Sequence, residues 1–350
     1  MKIAMIVPAL ANKGPIIVAK DLCEEYIMKG HDCIVYYFDN VKDLAFPCPS
    51  KRISFFSSID FESFDIIHTH TFRPDCYVWY HRHLKKTGAK FVSTLHQPLT
   101  LKALLLTKKK IEALIYFFIS KKSHQMIDMN IVLSQEQYNL SIINLRKKSV
   151  EIIPNGRNIV FSEIGSMKDK EELLTLKNKY KIIGSTAAVI PLKGLEQIIK
   201  ALVYLPEYVF VSIGEGESFL SLKQLSERLN VSNRCCWLGY RPDASNYQIY
   251  FDVFVISSRS EGFPLAFIEA SAFGTPTVLS DIPILRAIAT DEIVCFYQLD
   301  NISSLCEQIK DSYRNRISFS RKLRDYYRQC LTAETMANNY LKLYENLIKK

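Results

Sequence analysis

Short unbroken apolar runs, each followed by a segment of helical length, recur along the chain. KIAMIVP at the start reads as a buried strand, and further strand candidates fall at 32–38, 64–70, 90–95 and 129–134. Runs of this kind are what strands covered on both faces require. The alternation restarts after the turn at Pro154, Asn155 and Gly156, with candidates near 182–190, 207–213, 234–238, 252–257, 276–280 and 292–296. Strand and helix in alternation predict a doubly wound parallel sheet in each half. Residues 158–181 are polar and place the boundary between the sheets near 154–170. The expected domains are therefore 1–160 and 161–332, followed by a helix over 333–350. That helix spaces Met336, Tyr340, Leu341, Tyr344 and Leu347 along one stripe, which needs a surface. Either domain offers one, and packing back on the N-terminal domain is the expectation.

Composition agrees with two folded domains. A chain of 350 residues exceeds one ordinary core, and 48% hydrophobic with 23% charged residues excludes a disordered or fibrous chain. The most apolar stretch, Ile111 to Ile119, includes Glu112 and falls short of the roughly 20 residues of a spanning helix. The opening MKIAMIVPALANKGP has no cleavage pattern, so the mature protein is expected to begin at Met1. Nine cysteines without a C-x-x-C pair read as reduced cytosolic thiols, with Cys235 and Cys236 packing in the core. No His/Cys/Asp group has metal-ligand spacing and no Asp-x-Asp occurs, so neither a metal nor another cofactor is expected.

Charge is uneven. Residues 1–150 carry 21 Lys/Arg against 13 Asp/Glu, whereas 151–350 carry 24 against 23. Within the basic half, Lys102, Lys108, Lys109, Lys110, Lys121 and Lys122 are interspersed with Leu, Ile, Tyr and Phe. That pattern suits a helix lying on an anionic bilayer. A nucleic-acid partner is not expected, because no recognition motif accompanies the charge.

The chemistry concentrates in FDVFVISSRSEGFPLAFIEASAFGTPTVLSD, residues 251–281. It reads as a strand, a Ser-rich loop, a helix opening at Pro264 and closing at Gly274, and another strand. Glu261 lies on the loop, and Glu269 lies about 7.5 Å along the helix from Pro264. Between them stand the free amides of a helix N-terminus, which attract phosphate. Carboxylates accept well from sugar hydroxyls, so Glu269 suits a ribose and Glu261 a sugar on either side of a diphosphate. The pattern asks for a nucleotide sugar.

The segment EGFPLAFIE resembles the E-x7-E motif of retaining glycosyltransferases of glycosyltransferase family four. Gly30-His31, IPNG at 153–156, LKG at 192–194 and IGEG at 213–216 fit the family pattern in order and spacing. The resemblance implies an α/β protein of the GT-B fold: two Rossmann-like, doubly wound parallel-sheet domains facing an interdomain cleft. It also implies that Glu261, His96 and Lys193 are the catalytic residues, with Lys193 neutralising the leaving diphosphate. Glu269, Gly262, Phe263, Pro264, Leu265 and Gly214 would bind the donor, and Gly14 and Lys13 would face the acceptor. His70 is expected to line the cleft and His68 to pack. The family's usual Arg five residues before the Lys is replaced by Ala188, for which Arg259, Arg241 and Arg157 are candidate substitutes.

The expected activity is hexosyl or N-acetylhexosaminyl transfer, with retention and without a metal, from a nucleotide-diphosphate sugar, UDP rather than GDP. The acceptor implied is a polyprenyl-diphosphate-linked glycan at the inner face of the cell membrane, in O-antigen or capsule-type assembly. Two other readings share the architecture: a UDP-sugar 2-epimerase and a non-catalytic nucleotide-sugar-binding protein.

Overall fold

The computed structural model describes residues 1–82, 87–106, 108–145 and 149–349. It divides into two units, Met1–Asn158 with Cys330–Lys350, and Ile159–Gln329. In the first unit the strands are β1 (Lys2–Val7), β2 (Asp32–Tyr37), β3 (Ser50–Arg52), β4 (Ile66–His70), β5 (Lys90–Thr94), β6 (Met129–Val132) and β7 (Val150–Ile152). They form one parallel sheet in the order β3-β2-β1-β4-β5-β6-β7. Helices α1 (Gly14–Met28), α2 (Phe72–Arg82), α3 (Leu101–Leu105), α4 (Lys110–Gln125) and α5 (Gln135–Ser141) connect them. Ile3 to Val7 are fully buried, as a central strand covered on both faces demands. The sequence pattern missed β3 and β7. Both are three residues long, and every side chain of β3 is exposed, so no apolar run marks it.

The second unit contains β8 (Lys181–Thr186), β9 (Tyr208–Ile213), β10 (Cys235–Gly239), β11 (Val253–Ile256), β12 (Thr277–Ser280) and β13 (Cys295–Tyr297), ordered β10-β9-β8-β11-β12-β13. All its pairings are parallel. Its helices are α6 (Met167–Lys177), α7 (Glu196–Ala201), α8 (Phe219–Arg228), α9 (Leu265–Phe273), α10 (Pro283–Arg286), α11 (Ile302–Arg314) and α12 (Arg316–Tyr326). Helix α9 is apolar almost all round and buries Phe267, Ile268, Ala270, Ser271, Ala272 and Phe273, so it is an internal helix. Cys235 packs partly against the core, whereas the Cys236 thiol reaches Glu172 at 3.3 Å.

Helix α13 (Ala333–Ile348) belongs to the first unit. Thr332 caps it by accepting from the Thr335 amide, and its stripe of Met336, Tyr340, Leu341, Tyr344 and Leu347 is buried. Two hydroxyls on that stripe enter a buried hydrogen-bond chain. Tyr26 Oη lies 3.1 Å from Tyr344 Oη, which lies 2.7 Å from His68 Nδ1. His68 Nε2 is 2.8 Å from Thr94 Oγ1, and that hydroxyl is 2.7 Å from Tyr340 Oη. The chain ties α1, α13, β4 and β5 together, and each member satisfies a group that would otherwise be buried unpaired. Burial, with a smaller contribution from His96, lowers the His68 pKa to about 3.

Truncation of Tyr344 tests this anchorage. Tyr344→Ala should cost the first unit about 3–5 kcal/mol through the cavity it leaves, and Tyr344→Phe about 1–3 kcal/mol through the unpaired imidazole; urea unfolding measures both. His68 sets a pH dependence. The unfolded chain protonates it as pH falls through about 6.5, whereas the folded unit resists until about 3. Its contribution is flat above pH 6.5 and lowers stability progressively between those two values. At pH 5 unfolding should take up about one proton fewer in His68→Asn than in the wild type, as measured from the slope of stability against pH.

Candidate functional site

The second sheet reverses its strand order between β8 and β11, and the loops leaving the carboxyl ends of these two strands carry the candidate residues. After β8 the chain passes Ala187–Ile190 into a 3-10 turn, Pro191–Lys193, which Gly194 ends with φ 62°. Lys193 thus closes a turn ahead of α7. The left-handed Gly194 breaks the turn from the helix, and a Cβ there would stand 2.3 Å from the Ser257 carbonyl oxygen. The loop after β11 lies against this turn. Ser257 Oγ donates to the Lys193 carbonyl at 2.8 Å, Arg259 N to the Leu192 carbonyl at 2.8 Å, and Gln197 Nε2 to the Ser257 carbonyl at 3.0 Å.

This stitching brings two predicted residues together. Lys193 Nζ donates to Glu261 Oε1 at 2.5 Å, and Ser258 Oγ donates to the same oxygen at 2.6 Å. The two charged side chains are 23% and 9% exposed, deep enough that the pairing is a charge-assisted contact with limited screening by solvent. Sequence reasoning had not singled out Ser258, whose only sign was the Ser-rich run SSRSEG.

Gly262 and Phe263 follow, the latter buried, and Pro264 is the N-cap of α9, one residue outside the helix that it was expected to open. Pro264 has no side-chain acceptor; its carbonyl accepts from the Phe267 amide at 3.1 Å, and it caps neither the Leu265 nor the Ala266 amide with a side chain. Glu269 lies half-buried farther along α9. Gly214 has φ 140°, and a Cβ on it would meet the Ala187 carbonyl oxygen at 2.0 Å, so the loop after β9 presses on the loop after β8.

Ala188 is exposed, and the cations named as substitutes for an Arg there are committed elsewhere. Arg259 pairs with Glu196 at 2.6 Å and Asp300 at 2.5 Å. Arg241 holds Asp169 at 2.6 Å and keeps that carboxyl below its usual range. Arg157 belongs to the first unit, 3.4 Å from Asp21.

The first sheet reverses between β1 and β4. Lys13 is the exposed N-cap of α1, and Gly14 begins that 15-residue helix. His70 ends β4 fully buried, a correction to its expected lining position, and half-buried His96 follows β5. His70 Nδ1 is 2.9 Å from His96 Nε2, and His70 Nε2 is buried without a hydrogen-bond partner. Burial lowers the His96 pKa to about 3 and drives that of His70 well below the ordinary value, assisted by its two histidine neighbours. Both rings are neutral at pH 7.

Helix α4 presents Ile111, Ile115 and Phe118 outward, 75%, 56% and 62% exposed, at the spacing of one face. Leu105 and Leu106 beside α3 are also exposed, as are Lys102, Lys109, Lys110 and Lys122, while Lys121 is half-buried. Lys108 differs: it pairs with Glu112 at 2.6 Å and lies over the Tyr116 ring. No described helix is long and apolar enough to cross a membrane. Elsewhere in the first unit the thiols of Cys23, Cys33 and Cys48 converge, although their spacing in the sequence is not that of metal ligands. Gaps of 10 and 15 residues hid this cluster, which only the sheet assembles.

Comparison with known proteins covers both units. Residues 14–160 match the family model "Glycosyltransferase Family 4", and residues 166–329 match "Glycosyl transferases group 1". The chain is 25% identical over 366 aligned positions to the O-antigen biosynthesis glycosyltransferase WclY of Escherichia coli, covering 100% of this chain and 99% of that one. It is 28% identical over 270 positions to the E. coli UDP-Gal:alpha-D-GlcNAc-diphosphoundecaprenol alpha-1,3-galactosyltransferase, covering 72% of this chain and 67% of that one. Among solved structures, Anabaena Alr3699/HepE in complex with UDP superposes with a TM-score of 0.81 at 17% identity, covering 99% of this chain and 100% of that one. Two reversed parallel sheets, each matched by its own half of the family pattern, identify the chain as a glycosyltransferase of family four with the GT-B fold.

Proposed function

We propose that the protein transfers a hexosyl or N-acetylhexosaminyl group from a UDP-sugar to a polyprenyl-diphosphate-linked glycan, in surface polysaccharide assembly of the O-antigen or capsule type. The observation that carries this reading is the Lys193–Glu261 contact at the strand reversal, beside the start of α9, which no side chain caps. The Leu265 amide and the Lys193 ammonium receive the diphosphate, Glu269 the ribose and Glu261 the donor sugar, with Gly262, Phe263, Pro264 and Gly214 shaping the loops around them. Negative charge grows on the β-phosphate as the glycosidic bond breaks, and a fixed ammonium and helix amides lower that barrier without a metal. Glu261 is held by Lys193 and Ser258, which suits an orienting carboxylate better than a nucleophile. That supports front-face transfer with retention over double displacement. His96, neutral and half-buried, meets the sugar near its anomeric carbon, while Lys13 and Gly14 face the acceptor.

The choice of UDP and of a lipid-linked acceptor draws on the names of the relatives: HepE is bound to UDP, and the galactosyltransferase uses UDP-Gal and a diphosphoundecaprenol-linked sugar. The Lys-rimmed apolar face of α4 then rests on the anionic inner leaflet, from the cytoplasmic side, and brings the enzyme to that acceptor.

Saturating UDP, at about 100 times its dissociation constant, should stabilise the wild type by roughly 2.7 kcal/mol. In thermal unfolding that shift should vanish in Lys193→Ala and Glu269→Ala, and Lys193→Ala should lower kcat by about 10²–10³. A shift from GDP alone would overturn the choice of base, and no shift from any nucleotide would favour loss of donor binding through Ala188. For the membrane contact, replacing Lys109, Lys110 and Lys122 with Ala should weaken flotation with anionic vesicles about 100-fold, at roughly 1 kcal/mol per Lys. Wild-type protein that stays unbound at physiological salt would remove the membrane from the proposal.

A further inference from the structure

Three of the nine cysteines meet inside the first unit. Cys23 lies in α1, Cys33 in β2, and Cys48 in the segment that leads into β3, with all three sulfur atoms within 4.8 Å of one another. The Cys33 thiol points at Cys23 Sγ at 3.4 Å. Cys23 and Cys33 are 0% and 6% exposed, and Cys48 is half-buried. Thiolates bound tetrahedrally at about 2.3 Å from one zinc ion stand about 3.8 Å apart, a spacing close to the 3.4 Å Cys23–Cys33 separation and inside the 4.8 Å that contains all three sulfur atoms.

The third thiol is held by its neighbours in the chain. Cys48 stands between Pro47 and Pro49, which restrict the local backbone, and the chain bends at Pro47 and Cys48 before the strand begins at Ser50. The Pro49 carbonyl accepts from the Val35 amide at 2.9 Å, fixing the segment to β2. Beyond it, Ser50, Lys51 and Arg52 of the edge strand are exposed, and apolar packing resumes only at Ile53 and Phe55. A cross-link through sulfur supplies what packing does not.

We propose that Cys23, Cys33 and Cys48 form a binding site for one thiophilic cation of the zinc class, with water as the fourth ligand on the half-exposed Cys48 side, fastening the edge segment to α1 and β2. Three soft sulfur donors select such an ion over magnesium or calcium. Binding replaces three S–H bonds by three metal–sulfur bonds and releases three protons to solvent, with no change of oxidation state. The site is structural; the residues assigned to sugar transfer do not take part in it.

The test uses the full chain, reduced and stripped with a chelator, then titrated with Zn²⁺ and, as a spectroscopic probe, Co²⁺. The expected result is one equivalent bound, a cobalt–thiolate charge-transfer band, and a higher unfolding temperature with Zn²⁺. Cys48→Ser should lose the band and at least 100-fold in affinity, whereas Cys330→Ser, which removes an exposed thiol outside the cluster, should change neither. If Cys48→Ser does not fold, Cys48→Ala takes its place, and the wild-type cobalt spectrum decides by itself whether sulfur binds the ion. Absence of the band, wild-type affinity in the Cys48 variant, or a Cys23–Cys33 disulfide in protein purified under reducing conditions would overturn the proposal.

Discussion

Parallel strand pairing is the constraint from which the rest of this structure follows. A parallel neighbour can be reached only by a crossover, so every strand-to-helix loop of a sheet emerges at the same edge. The winding reverses at β1/β4 in one sheet and at β8/β11 in the other, so the loops after two neighbouring strands lead into crossovers that run in opposite directions along the sheet. Lys193 and Glu261 are 68 positions apart in the chain, yet topology alone carries them to the same spot. The first sheet does the same for His70 and His96 at the ends of adjacent strands.

What topology brings together, local hydrogen bonds hold. Ser257, Arg259 and Gln197 join the two loops of the second unit through backbone carbonyls, so Lys193 and Glu261 are fixed by main-chain geometry as much as by their own attraction. A cation placed this way costs little reorganisation when charge develops beside it, which is the electrostatic advantage of a preorganised site. Arg259, gripped by Glu196 and Asp300, braces the loop.

The alternation of apolar runs made both sheets legible from sequence, because buried parallel strands leave a dense signature. Strand β3, short and wholly exposed, left none. Glu261 and Glu269 stood out because the loop and helix that space them are continuous in the chain. The Lys193–Glu261 contact, the bracing role of Arg259 and the burial of His70 depend on partners remote in sequence. Pro264 was displaced by one residue, since a helix start is fixed by which amide first finds a carbonyl, and proline content locates that only approximately.

Helix α13 has a consequence for the order in which the protein can be made. Its tyrosines complete the hydrogen-bond chain through His68 and Thr94, but the ribosome delivers them after the whole of 159–329. The unit that begins synthesis first is therefore finished last. Until α13 arrives, the surface of α1 and β5 that it covers stands open, with His68 and Thr94 lacking their tyrosine partners. The second unit is continuous in sequence and has every strand of its sheet before that moment. Maturation thus runs from the middle of the chain outward, and the nascent first unit is the species most exposed to chaperones and proteases.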